Sequence, residues 1–157
     1  MSSPDPLPVA EFHAPAFWLA TPPGQREREW MLEGDFCRKG DEAWFVRGLL
    51  GLPLKGEQHR YLDIAVWVSV GREDYDRARE VQKTGQRGDL EEVYGFLATD
   101  ISGYPGAVDL KAVLDFSAGR ALQPLVLLEP TDHPLAKAQR DGMTRAEAEG
   151  WLRSAAD

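Results

Sequence analysis

The sequence predicts a single α+β domain, mainly an antiparallel β-sheet with helices packed on it and two C-terminal helices. Three observations predict this class. Short apolar segments with a period of two are separated by turns rich in Gly and Pro, which is typical of strands. Amphipathic helical segments lie mainly towards the ends of the chain. Of the 157 residues 43% are apolar, which is enough for one core over residues 12–157.

The N-terminal residues 1–11 are predicted to form a mobile tail, because the first ten contain three prolines and few apolar side chains. Thr21 stands where it can cap a short helix, and prolines follow it in the first turn. The segment GQREREWML is predicted to be that helix, with Trp30, Met31 and Leu32 facing inward.

A hairpin is predicted over the segment DFCRKGDEAWFVRGLLGLPL. Lys39-Gly40-Asp41 forms a turn signal between its two apolar runs. Gly48 and Gly51 lie inside the second run, where glycine indicates a bulge or the close approach of another backbone.

The clearest strand signal is YLDIAVWVSV, residues 61–70, which alternates with a period of two. Its two faces differ in polarity, and this predicts that one side is buried more deeply than the other. The more apolar face carries Ile64, Val66, Val68 and Val70, and the other carries Asp63, Ala65, Trp67 and Ser69.

The remaining elements follow from similar patterns. REDYDRAREVQ is predicted to be a helix with Tyr75, Ala78 and Val81 facing inward. VYGFLAT and PLVLLE are strand-like, and VDLKAVLDFS alternates apolar and charged residues as a half-buried strand does. KTGQRGDLEE and SGYPGA are loops by composition. Two helices complete the chain.

The charge balance argues against nucleic-acid binding. The chain has 18 basic and 26 acidic residues, a net charge of −8, which repels a phosphate backbone. Its basic stretches, GQRERE and DRARE, are interleaved with acids and indicate solvated helix faces. An acidic surface favours solubility, or docking onto a basic protein partner.

Location is predicted to be cytoplasmic. The opening segment has neither the basic nor the apolar region of a secretory signal, and no apolar run approaches the roughly 20 residues of a membrane span. The lone Cys37 cannot form an internal disulfide, which suits a reducing compartment. We therefore expect a soluble monomer or homo-oligomer without membrane contact.

The segment EPTDHPLAKAQRDG carries the most chemical groups in the shortest span. Functionally, Glu129 or Asp132 could orient His133 as a general base, which makes Asp132 and His133 candidate catalytic residues. Structurally, Asp132 or Thr131 could instead cap a helix whose first turn contains Pro134. The structural explanation is favoured because neighbours in sequence rarely point at one another.

The same segment also predicts where its helices end and begin. Gly142 stands where a glycine commonly terminates a helix. Thr144 and Glu147 then fit the capping-box pattern, with a hydroxyl at the N-cap and a glutamate three residues later. Every feature of the segment therefore has a local structural explanation.

Metal, cofactor and nucleotide chemistry have little support. The three histidines and Cys37 lack a usual zinc spacing, so neither a metal nor a cofactor is predicted. Cys37 lies in a predicted strand, where a buried, inert thiol is usual. Ser69 lacks the Gly-x-Ser-x-Gly context of a hydrolase, and the chain has no glycine-rich phosphate loop.

A second group of candidate residues is predicted to bind a ligand or partner: Arg47, Trp67, Ser69 and Tyr104. If helices cover only the valine face of residues 61–70, Trp67 and Ser69 point into a groove or solvent, where aromatics often mark binding surfaces. The alternative, which we favour, is a sheet covered on both sides, with Trp67 in a second small core.

Several long segments, in this order, resemble the bacterial family called domain of unknown function 2199. They are FVRGLLGLPL, AVWVSV, YGFLATDISGYPG, LKAVLDF and LEPTDHPLAKAQRDGMT, with HAPAFWLATPPGQRERE upstream. The resemblance covers nearly the whole chain and implies a small, standalone bacterial cytoplasmic protein. Members of that family often begin with a Cys-x-x-Cys-Gly element and a His, where this chain has MSSPDPLPVA. No metal role, activity or catalytic residue is therefore carried over.

Three functional hypotheses remain open, and whether the chain is an enzyme stays undecided, with the balance against it. The first is a non-enzymatic protein- or ligand-binding module, such as an immunity-like or regulatory partner. The second is a small-molecule-binding enzyme, in which five distant residues would converge on one cavity: Trp67, Ser69, Tyr104, Asp132 and His133. The third is a structural homo-oligomer with the aromatic sheet face at a two-fold interface.

Overall fold

The computed structural model describes residues 5–120 and 123–155, which form eight strands and five helices. The strands are β1 (Ala10–Glu11), β2 (Trp30–Glu33), β3 (Phe36–Lys39), β4 (Ala43–Pro53), β5 (Tyr61–Val70), β6 (Glu92–Leu97), β7 (Lys111–Arg120) and β8 (Gln123–Leu128). The helices are α1 (Ala16–Leu19), α2 (Pro23–Glu29), α3 (Arg72–Thr84), α4 (Pro134–Asp141) and α5 (Arg145–Ala155).

Five of the strands close into a small barrel. β4 pairs with β5, β5 with β6, β6 with β7 and β7 with β8, each time antiparallel. β8 then meets β4 in a parallel bridge between Leu125 and Leu49, which closes the ring. β3 and β2 extend the sheet beyond the first half of β4. The prediction of a mainly antiparallel α+β domain is confirmed.

The main core lies on the inward side of these strands. The alternation predicted for β5 is confirmed, since its four aliphatic residues from Ile64 to Val70 are all buried in this core. α3 adds Tyr75, Ala78 and Val81, as the sequence predicts. α4 and α5 contribute Leu135 and Ala148 from the C-terminal end of the chain.

Two glycines allow the strands of the barrel to approach closely. A Cβ at Gly48 would lie 2.8 Å from the Pro124 carbonyl oxygen and 2.9 Å from Val126 Cγ2. A Cβ at Gly95 would overlap the Ser69 carbonyl oxygen and lie 2.9 Å from Val68 Cγ1. The close approach predicted at Gly48 is therefore confirmed, and Gly95 makes a second one between β5 and β6.

The prediction for the segment GQREREWML is wrong for its last three residues. α2 ends at Glu29, and Trp30 begins β2, which pairs with β3 through Trp30 and Lys39. The Trp30 ring stacks on Phe45, with 5.8 Å between centroids. Pairing with β3 and packing on the sheet are tertiary contacts, and they override the local helical pattern.

The N-terminal contacts also differ from the sequence analysis. Thr21 does not cap α2, because its hydroxyl donates back to the Phe17 carbonyl and Pro22 occupies the N-cap. Ala10 and Glu11, at the end of the predicted tail, form β1 and pair in parallel with β5. Residues 1–4 of that tail lie outside the described residues.

Candidate functional site

Trp67 lies in a second, smaller core on the outer side of β4 and β5. The side chain is fully buried and packs with Cys37, Phe45 and Ala98. Its indole N–H donates to the Phe12 carbonyl oxygen at 2.8 Å. The sheet is thus covered on both sides at this point, so Trp67 belongs to the interior and not to an exposed binding surface.

Arg47 is half-buried and contacts several segments in the same region. Its guanidinium donates to Asp35 at 2.8 Å and to the Phe12 carbonyl oxygen at 3.3 Å. It lies over the Trp67 ring at 5.3 Å from the centroid, a cation–π distance. Arg47 therefore ties the N-terminal segment and the β2–β3 turn to the barrel.

Ser69 and Tyr104 lie on opposite sides of the sheet. Ser69 points outward beside Phe96, with which it pairs across β5 and β6. Tyr104 packs against the main core, and its burial raises the pKa of the phenol. The structure therefore does not bring Trp67, Ser69, Tyr104, Asp132 and His133 around one cavity, because the side chains belong to different faces.

His133 caps α4, which corrects the prediction that Asp132 or Thr131 does so. Its Nδ1 accepts the N–H of Leu135 at 3.1 Å, and its Nε2 lies 2.9 Å from the Pro105 carbonyl oxygen. A carbonyl oxygen only accepts, so Nε2 is the nitrogen that donates to Pro105 while Nδ1 accepts from Leu135. A shorter N-cap side chain would not reach Pro105, whereas the histidine ring both accepts the Leu135 N–H and contacts the Pro105 carbonyl oxygen.

Thr131 and Asp132, the two residues before His133, do not cap α4. Thr131 accepts the His133 N–H through its hydroxyl at 3.3 Å, and Asp132 is exposed to solvent. Both ring nitrogens of His133 are occupied by backbone groups, so no lone pair is left for general-base chemistry. The geometry therefore makes His133 a tether between α4 and the loop before β7.

Replacing His133 by alanine is expected to lower the free energy of unfolding by about 1–2 kcal/mol, since the cap and the tether are both lost. His133→Asn should lose less, because asparagine is a favoured N-cap but cannot reach Pro105. Urea denaturation measures both values, with Asp132→Ala as the exposed control. Equal losses for asparagine and alanine would show that capping is not what His133 contributes.

The capping box predicted before α5 is confirmed. The Thr144 hydroxyl accepts the Glu147 N–H at 3.1 Å, and the Glu147 carboxylate accepts the Thr144 N–H at 3.1 Å. Hydrogen bonds from the Thr144 backbone and side chain lower the pKa of Glu147.

Gly142 ends α4 with φ 84°, and a Cβ there would lie 2.7 Å from the Pro53 carbonyl oxygen.

Cys37 is inert in this environment. It is fully buried in the second core, and burial raises the pKa of its thiol to about 12. The reactive species is the thiolate, which is scarce at neutral pH when the pKa is this high. The prediction of a buried thiol is confirmed.

The outer face of β6, β7 and β8 carries an exposed apolar row that the sequence analysis did not identify. Strand register places Tyr94, Val113 and Leu127 side by side across the three strands. Phe96 lies two residues further along β6. Tyr94 is 70% exposed, Phe96 47% and Leu127 44%, although outward positions of a sheet facing water are usually polar. We call these four residues the apolar face.

The apolar face forms the floor of an open groove of about 500 Å³. Charged side chains stand at its rim, and these are Glu92, Lys111 and Glu129. The Tyr94 hydroxyl donates to the Glu92 carboxylate at 2.9 Å, and this hydrogen bond raises the pKa of the phenol. The groove is therefore apolar in the middle and mainly acidic at its edge.

A signal for this face existed in the sequence. In VYGFLAT the alternation places Val93 and Leu97 on one side and Tyr94 and Phe96 on the other, so both sides of the strand are apolar. A strand with two apolar faces has a second packing partner or a binding surface. The neighbouring outward residues Val113 and Leu127 become visible only through the register of β7 and β8.

The described residues show neither a metal-binding cluster nor a membrane helix. Among residues 5–120 and 123–155, no group of three or more His, Cys, Asp or Glu side chains could hold a metal ion. Within the same ranges, no helix combines the length and the apolar character needed to cross a membrane.

Fold and surface together define a small α+β domain with a five-stranded barrel core and one apolar outer face. The sequence matches the model of a family described as uncharacterized proteins conserved in bacteria (DUF2199) over residues 3–143 of 157. The chain belongs to this family, as its resemblance implies. Comparison with curated proteins and with solved structures found no similar protein.

Proposed function

We propose that the chain is a non-enzymatic binding module that holds an apolar segment of a protein partner on its apolar face. The observation that carries the proposal is the row of Tyr94, Val113 and Leu127 on the outward side of three neighbouring strands. Contiguous apolar surface of this kind is typical of interaction sites in soluble proteins. Aromatic residues are also enriched at protein interfaces.

The negative charge of the chain and of the groove favours a basic partner. The chain has a net charge of −8, and Glu92 and Glu129 at the rim of the groove contribute to it beside the single cation of Lys111. Like charges at a rim repel an acidic partner, whereas complementary charges accelerate encounter and set orientation. An apolar segment flanked by Lys or Arg therefore fits both the floor and the edge of the groove.

The role of His133 supports the non-enzymatic part of the proposal. This residue is the strongest catalytic candidate by sequence, yet its ring nitrogens contact the Leu135 N–H and the Pro105 carbonyl oxygen. A general base needs a free lone pair within reach of a substrate proton. The imidazole stabilises the fold through these two hydrogen bonds instead.

A selection from a phage-displayed random peptide library tests the proposal. We expect enriched peptides to be apolar with basic flanks, and to shift the NMR signals of Tyr94, Val113 and Leu127. Leu127→Ser should weaken their binding about tenfold, the loss expected when about 1.4 kcal/mol of apolar burial is removed. The matched control is Leu19→Ser, because Leu19 on α1 is 46% exposed, close to the 44% of Leu127.

Two results would contradict the proposal. One is enrichment of no peptide, or of peptides whose binding is equally reduced by Leu19→Ser and Leu127→Ser. The other is a dimer in sedimentation experiments that Leu127→Ser converts to a monomer. That result would assign the apolar face to a second copy of this chain and favour a homo-oligomer.

A further inference from the structure

A second pocket lies beside the apolar face, where the β3–β4 hairpin meets β5 and β6. Strand register places Phe45, Ser69 and Phe96 in one outward row across β4, β5 and β6. The pocket has a volume of about 510 Å³. Its lining includes four aromatic residues and three charged ones, and these are Phe17, Trp30, Phe45 and Phe96, with Lys39, Glu42 and Asp109.

Aromatic rings form the walls of this pocket. Trp30 stacks on Phe45 with 5.8 Å between centroids, and the Phe17 ring lies tilted to Phe45 with 6.2 Å between centroids. Phe17 and Phe96 are each about half exposed, whereas Phe45 is buried beneath Trp30, so an occupant would contact Phe17, Phe96 and Trp30. The face of an aromatic ring is electronegative, so a pocket built from several rings favours a positively charged occupant.

Asp109 contributes a negative charge that the fold leaves unmatched. Its carboxylate has no hydrogen-bond or ion-pair partner among the described residues. The other two charged groups of the lining neutralise each other, because Lys39 lies 3.4 Å from Glu42. The charge left over in the pocket is therefore that of Asp109, which attracts a cation and repels an anion.

The backbone holds Asp109 at this place. Its N–H donates to the Leu97 carbonyl oxygen at 2.7 Å, and this hydrogen bond brings the residue beside the end of β6. Asp109 has φ 78°, in the left-handed region that Asp and Asn tolerate better than other side chains. An Asp109→Asn variant therefore removes the charge and keeps a residue suited to this conformation.

We infer that this pocket binds an alkylammonium group, such as a quaternary amine or the end of a lysine side chain. Several aromatic walls with one carboxylate form the type of site that recognises such cations. A neutral apolar ligand would gain nothing from Asp109, and an anion would meet its repulsion. The inference does not rest on the proposed function, because the two pockets share only Phe96 and this one is tested with small cations.

The test compares choline with its neutral isostere 3,3-dimethylbutan-1-ol at constant ionic strength. Binding is followed by NMR through the indole N–H signal of Trp30, which the Trp30→Phe variant identifies among the five tryptophans. We expect choline to shift this signal saturably and the neutral isostere to bind at least about tenfold more weakly. The second arm of the test uses Nα-acetyl-lysine amide, in which the side-chain ammonium is free. Tighter binding of choline indicates a free quaternary amine, and tighter binding of the lysine derivative indicates a protein side chain.

Two variants separate charge from shape. Asp109→Asn is expected to weaken choline binding by about three- to tenfold, whereas Asp141→Asn, with the same charge change at an exposed position of α4, leaves it unchanged. Phe17→Leu should weaken the binding of choline but not that of the neutral isostere, because only the cation is attracted electrostatically to the face of the ring. The inference is overturned if choline and its isostere bind alike, if neither choline nor the lysine derivative produces a saturable shift, or if Asp109→Asn binds these cations as the wild type does.

Discussion

Replacing Trp67 by alanine is expected to lower the free energy of unfolding by about 3–5 kcal/mol, as for other fully buried aromatic residues. The side chain fills the second core beside Phe45, and its indole N–H satisfies the Phe12 carbonyl oxygen at 2.8 Å. Alanine would leave a cavity and weaken the attachment of the N-terminal segment. Urea denaturation followed by circular dichroism measures the loss.

The control for this variant is Tyr94→Ala. Tyr94 is also a large aromatic residue in a strand, but it is 70% exposed, so its removal should change stability by less than about 0.5 kcal/mol. A loss below about 1 kcal/mol for Trp67→Ala would contradict the second core, since a buried aromatic of this size should cost several times more.

Replacing Gly95 by alanine is expected to destabilise the fold by about 3 kcal/mol, the upper part of the range for overpacking. The added Cβ would overlap the Ser69 carbonyl oxygen, a backbone atom that cannot rotate away as a side chain can. β5 and β6 would have to separate where Val68 pairs with Leu97, and this pairing helps close the barrel. Thermal and urea denaturation both report the effect.

Gly24→Ala is the matched control for Gly95→Ala. Gly24 lies in α2 and has no atom within 4 Å of the position of an added Cβ. Alanine there should raise stability by about 0.5–1 kcal/mol, because it favours the helix over the unfolded chain. If both substitutions were neutral, close packing of β5 on β6 would not be a requirement of the fold.

Gly95 also connects the barrel with both proposed surfaces. Its neighbours Tyr94 and Phe96 point outward from β6, and the apolar groove and the aromatic pocket share Phe96. The position of β6 depends on the close approach that Gly95 permits. Variants of Gly95 should therefore weaken peptide and cation binding together, whereas Leu127→Ser and Asp109→Asn each affect one surface.

Elements with strong local patterns were predicted well. β5 has the bounds of the segment YLDIAVWVSV, and α3 buries Tyr75, Ala78 and Val81. The capping box at Thr144 is a local arrangement of four residues, so the sequence contains all of its partners. The cap of α4 was assigned to the wrong residues because His133 is chosen by its contact with Pro105, 28 residues earlier.

Alternation, turn residues and capping patterns by themselves determined the fold class, the strand of residues 61–70, the β3–β4 hairpin and the C-terminal helices, because these depend on neighbours in the chain. Only the tertiary structure decided that Trp30 begins a strand, that Trp67 is buried and that Tyr94, Val113 and Leu127 form one row. Each of those outcomes depends on strand register and on which face another segment covers. These are long-range pairings, and a local period of two or 3.6 residues does not specify them.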